Sequence, residues 1–160
     1  VMFHSPEQAI RFAFKIRHKT IVSQAHNVFI GKDKIRSSNR GGSLTAYDFH
    51  AQGAMIFGFI ERQGDLENAW VYWMYGDPRE KKIAARMLAD RYDGWGRVGL
   101  ERNDIYRAML TKSVRKCAEE MGITNYKAWK VRRKILDALT PVERRLLDGL
   151  WEWIEKSCAE

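Results

Sequence analysis

The chain has 160 residues, 45% of them hydrophobic and 30% charged, with only three prolines. That is the composition of a folded domain with one sizeable core or two small ones, and it excludes a chain disordered throughout. Twenty-eight Lys and Arg against twenty Asp and Glu leave a net charge of +8, which favours a polyanionic partner such as nucleic acid. No apolar stretch approaches the roughly 18 residues of a membrane span, so no membrane partner is expected. Val1-Met2-Phe3-His4 lacks the apolar run of a signal peptide. Two cysteines, Cys117 and Cys158, without CxxC spacing argue against a disulfide scaffold and for a reducing, cytoplasmic setting.

The first predicted element opens at Ser5-Pro6-Glu7-Gln8, with an N-cap, a proline in the first turn and a Gln placed to close a capping box. Ile10, Ala13 and Phe14 share one face of a helix continuing towards Ile21, and Arg11, Lys15 and Lys19 share another. A loop follows between Gly31 and Ser43, with four Lys or Arg and one Asp. It is either merely mobile or ordered on nucleic acid, with Arg36 and Arg40 as the candidate contacts. A second helix is expected from about Thr45 to Arg62, with Phe49, Gly53, Ile56 and Ile60 on one face. Its small residues Ala51, Gly53, Ala54 and Gly58 would let another helix approach closely.

The run Ala69-Trp70-Val71-Tyr72-Trp73-Met74-Tyr75 fits a buried helix or a strand by periodicity; its flanks, Asp65 and Gly76, favour helix. Core packing is its expected role, with base stacking the sharper alternative. Asp77-Pro78 caps a further helix to about Tyr92, with Ile83, Met87 and Leu88 apolar. Gly94-Trp95-Gly96-Arg97-Val98-Gly99 has the letters of GxGxxG but no strand before it, so a flexible joint is expected instead of a dinucleotide site. The expected division is an N-terminal helical body over residues 1–98 and a C-terminal module over residues 99–160.

That module carries the strongest signal. Val114, Cys117, Ala118 and Met121 recur at i, i+3, i+4, i+7, and Gly122 ends the helix they define. Thr124 or Asn125 can cap the next helix, whose inner positions are Ala128, Val131, Ile135 and Leu139. Two helices joined by a short turn around glycine form a helix-turn-helix. At 100° per residue, Tyr126, Trp129, Lys130 and Arg133 fall opposite the buried stripe, flanked by Lys127, Arg132 and Lys134. From Lys112 to Lys134 there are eight Lys or Arg and two acidic residues, so most of the excess charge sits here. The candidate DNA-binding residues are Thr124, Asn125, Tyr126, Lys127, Trp129, Lys130, Arg133 and Lys134, with Lys and Arg suited to phosphates or guanine and Asn125 to adenine. A basic helical hairpin packing on protein or RNA is the bland alternative. Thr140-Pro141-Val142-Glu143 reads as the start of a separate closing helix, with a wide apolar face of Val142, Leu146, Leu147, Leu150, Trp151, Trp153 and Ile154. That width leaves room for self-association.

Catalysis finds little support. His4, His18, His26 and His50 show no metal spacing, and no GxSxG, P-loop or paired-carboxylate motif occurs. No metal, no cofactor and no enzymatic activity are expected, a magnesium nuclease built from scattered carboxylates being the minority reading.

The segment Ser113-Val-Arg-Lys-Cys-Ala-Glu-Glu-Met-Gly-Ile-Thr-Asn-Tyr-Lys-Ala-Trp-Lys-Val-Arg-Arg resembles the helix-turn-helix of the lambdoid-phage Q late-gene antitermination proteins, in the smaller branch that lacks a cysteine-rich zinc segment. It is similar also to phage repressors and to the promoter-reading region of sigma factors. Over Ser5–Tyr92 the likeness is one of size, charge and helical layout alone. The resemblance implies a bacterial host cell, double-stranded DNA near a late promoter and the RNA polymerase holoenzyme as partners, and a contact to nascent RNA. Terminators would then be read through. A small phage packaging subunit and a plain repressor are the alternatives. The expected fold is all-α.

Overall fold

The computed structural model describes residues 3–18, 46–99 and 103–159. Among these there are seven α-helices, one short 3-10 turn and no strand, so the fold is all-α. The chain divides into two compact units between Arg62 and Gln63.

The first unit holds α1 (Pro6–Arg17) and α2 (Ala46–Glu61), which pack on each other. Ser5 caps α1 by accepting from the Gln8 amide at 3.3 Å. The Gln8 side chain reaches one residue beyond the expected box and accepts from the His4 amide at 2.7 Å. Ala9, Ile10, Ala13, Phe14 and Ile16 are buried, as are Gly53, Ile56, Phe59 and Ile60 of α2. Of the four small residues in α2, Gly53 lies against Ala13 and Ile16 of α1, whereas Ala51 and Ala54 are exposed. Lys19, His26, Arg36 and Arg40 lie outside the described residues.

The second unit begins with the aromatic run, which is a helix, α3 (Asp65–Tyr75), with Ala69, Trp70, Val71 and Trp73 buried. Asp77 and Glu80 form a reciprocal capping box at the start of α4 (Pro78–Arg91), as the Asp-Pro pair leads one to expect. The inner face of α4 is alanine-rich, Ala84, Ala85, Leu88 and Ala89. Ile83, expected among the apolar positions, points outward and is 63% exposed.

The glycine-rich joint is instead a packed turn. Asp93–Arg97 forms a single 3-10 turn that buries Trp95. Its ring stacks on Tyr106 at 4.5 Å and meets Tyr92 edge-on at 5.0 Å, and its Nε1 donates to the Leu88 carbonyl at 3.1 Å. Gly94 is required here, because a Cβ would lie 2.3 Å from the Tyr92 ring. Helix α5 (Asn103–Thr111) follows and runs into α6 (Val114–Met121) through Lys112 and Ser113.

The last element overturns a boundary. Asn125–Ala159 is one helix, α7, about 52 Å long, and Pro141 lies inside it. Thr140 therefore caps nothing; its hydroxyl donates back to the Leu136 carbonyl at 3.5 Å. The physical reason is phase. Ala128, Ile135, Leu139, Val142, Leu146, Leu150 and Ile154 are all buried, so the apolar stripe crosses the proline without a step while Pro141 itself faces solvent. Proline has no amide to offer Asp137 O, and its ring crowds the preceding turn. Next to that gap the Tyr92 hydroxyl donates to the Ala138 carbonyl. The expected wide face is thus mostly covered, with only Trp151 and Trp153 half-buried among its seven members.

Candidate nucleic-acid interface

The turn between α6 and α7 is built by three local devices. Ser113 caps α6, accepting from the Lys116 amide at 3.3 Å. At the other end Gly122 adopts the left-handed conformation, φ 65° and ψ 31°. The Ile123 amide donates to Ala118 O at 3.1 Å and the Gly122 amide to Glu119 O at 3.4 Å, the paired bonds of a Schellman close. Thr124 then caps α7, its Oγ1 accepting from the Lys127 amide at 3.3 Å. Of the two capping candidates, Thr124 is the one that acts.

Beneath the turn, Cys117, Ala118 and Ala128 are buried, with Val114, Met121 and Val131 half-buried. The small side chains of Ala118 and Ala128 fit a close crossing of the two helices. Burial pushes the Cys117 thiol up from its ordinary value, against the smaller opposing pull of Arg132. Its Sγ donates to the Ala108 carbonyl at 3.4 Å. Cys117 is therefore a core residue with little thiolate character.

Two side chains fasten the motif to the rest of its unit. Arg132, on the flank of α7, donates from Nη1 to the Lys112 carbonyl at 2.9 Å, at the junction of α5 and α6. Lys112 in turn pairs with Glu120 at 2.6 Å and holds its carboxyl below the usual carboxylate range. Arg115 pairs with Glu119 at 3.4 Å, so both acidic residues of the segment are engaged within α6 and its entry. The positioning role of Arg132 was missed in the sequence because its acceptor is a backbone carbonyl twenty residues away.

The outward face of α7 gathers four of the eight candidate residues in one strip. Tyr126 is 63% and Trp129 45% exposed, and their rings stack at 6.3 Å with an interplanar angle of 16°. Lys130 Nζ sits 4.6 Å from the Tyr126 centroid and Arg133 Cζ 5.5 Å from that of Trp129. The strip is thus two cation–aromatic pairs side by side, which orders long side chains before any partner arrives. Asn125 and Lys127 are exposed in the first turn. Lys127 and Lys134, seven residues apart, run along one edge of the strip, and Lys134 also borders a cleft with Tyr92, Asp93 and Pro141. Exposed Asp137 ends the cationic run.

Comparison with known protein families, curated proteins and solved structures finds no match to this chain. The chemistry of the site must carry the reading. Among the described residues no group of three or more His, Cys, Asp or Glu is placed to hold a metal ion. His4 and His18 are exposed and His50 is half-buried, its Nε2 enclosed without a hydrogen-bond partner. No helix among the described residues is long and apolar enough to cross a membrane.

Proposed function

We propose that this chain binds double-stranded DNA through the α6–α7 helix-turn-helix and acts as a transcription antitermination factor. One observation carries the DNA reading: the face of α7 opposite its buried stripe presents Tyr126, Trp129, Lys130 and Arg133 as an exposed, pre-ordered cationic and aromatic strip. Exposed aromatic rings beside cations that form no ion pair among the described residues suit a partner with both charge and apolar edges, and the major groove offers phosphates, guanine acceptors and thymine methyl groups. In this arrangement α6 crosses the DNA backbone and the first turns of α7 enter the groove, with Asn125 at its tip. The step from DNA binding to antitermination rests on the likeness of Ser113–Arg133 to the Q proteins. It brings the RNA polymerase holoenzyme as the second partner, and readthrough of terminators as the outcome.

A plain repressor would carry the same helix-turn-helix, and a packaging subunit would need an open apolar face. Burial of Val142, Leu146, Leu147, Leu150 and Ile154 speaks against the latter. Transcription by purified bacterial RNA polymerase, on a template with a late promoter, its upstream DNA and a downstream terminator, separates these readings. Antitermination predicts readthrough that rises with added protein and requires the upstream DNA. Reduced initiation without readthrough would make the protein a repressor and overturn the antitermination step.

A further inference from the structure

We propose that a cleft between the start of α4 and the end of α5 is a second DNA contact, a seat for backbone phosphates of the duplex whose groove α7 enters. This rests on the DNA-binding reading above and extends it to residues outside the helix-turn-helix. The cleft, about 370 Å³, is lined by Trp73, Pro78, Lys81, Lys82, Leu110 and Thr111. Among the described residues that line it, the ionisable groups are the two lysines, with no carboxylate. Both lysines are exposed, and neither forms an ion pair among the described residues. The nearest acidic groups on α4, Asp77 and Glu80, are turned into the capping box. An anion seated in the cleft would meet both ammonium groups across a wall without a carboxylate among the described residues.

The position of the cleft selects the anion. Its floor is anchored by Trp73, whose Nε1 donates to the Leu110 carbonyl at 2.8 Å. Leu110 and Thr111 continue directly into Lys112 and Ser113, the cap of α6, and Arg132 of α7 binds the Lys112 carbonyl. The cleft therefore opens beside the entry of the helix that crosses the DNA backbone in motifs of this kind. Lysines here would add phosphate contacts that are indifferent to sequence, next to a strip that reads it.

The test is the salt dependence of duplex binding by the full chain and by the Lys81→Ala/Lys82→Ala double variant. Each phosphate contact adds about 0.9 to the slope of log K against log salt on B-DNA. The double variant is expected to lose about 1.8 of that slope, on the preferred duplex and on a random one alike. Lys156→Ala, which removes a charge at the far end of α7, should leave the slope unchanged. An unaltered slope in the double variant, with the parent chain binding duplex normally, would overturn the phosphate seat and leave the helix-turn-helix reading standing. A loss confined to single-stranded RNA would also overturn it, in favour of an RNA contact. Failure of the parent chain to bind duplex at low salt would overturn both. Since both lysines are exposed, an unchanged melting temperature confirms that the variant is folded.

Discussion

Gly122 is the residue on which the helix-turn-helix depends. Its φ of 65° is strained for a side-chain-bearing residue, yet a Cβ there would meet nothing within 4 Å. The cost of Gly122→Ala is therefore conformational and not steric, about 1–2 kcal/mol. Gly122→Asn should cost less, because asparagine visits the left-handed region more readily. Urea denaturation of the two variants checks this order, and equal losses would point to a clash that the structure does not contain. The position was legible in the sequence, since a glycine directly after an i, i+3, i+4, i+7 apolar stripe has few other uses. The strip of Tyr126, Trp129, Lys130 and Arg133 was legible for the same reason, being fixed by the period of one helix. The cation–aromatic pairing within it needs side-chain conformations that spacing alone does not specify.

At the scale of elements, Pro141 shows where local reading fails. Thr-Pro-Val-Glu is a helix start when the chain before it turns, and an interior kink site when the apolar stripe runs on through it. Leu139 and Val142 bracket the proline on the buried face, so packing against the rest of the unit holds the helix together across the lost hydrogen bond. Tyr92 contributes by donating its hydroxyl to Ala138 O. Tyr92→Phe is expected to destabilise the fold by about 1 kcal/mol, the net worth of one such bond. In a Pro141→Ala background, where an amide returns to Asp137 O, the same change should cost less. A double-mutant cycle by thermal or urea unfolding measures this coupling, and strict additivity would show that the tyrosine acts independently of the proline. The turn around Trp95 was hidden from the sequence by a similar non-locality. Flanked by glycines it looks like a loop, whereas contacts with Tyr92, Leu88 and Tyr106 place it in the core.

For the whole molecule, the excess charge and its distribution matter more than the fold. A net +8 is spread unevenly, with +6 between Lys112 and Lys134 by residue count. Within that segment the carboxylates of Glu119 and Glu120 are already paired, which leaves Lys127, Lys130, Arg133 and Lys134 as the cations facing outward from α7. Lys81 and Lys82 line a cleft with Leu110 and Thr111, about thirty residues further along the chain, a juxtaposition that chain order could not reveal. Steering by such a field is strong at low salt and weak at high salt, so binding must be compared at a stated ionic strength.

The most direct measurement is selection of bound duplexes from a random-sequence pool at low salt, run in parallel with the parent chain and with Arg133→Ala. The parent chain is expected to enrich one short motif. Arg133→Ala should weaken binding to that motif by about 1–3 kcal/mol and relax the preference at one base pair, with melting temperature nearly unchanged. A pool that stays random with the parent chain, or the same motif bound equally well by the variant, would contradict the placement of α7 in the groove.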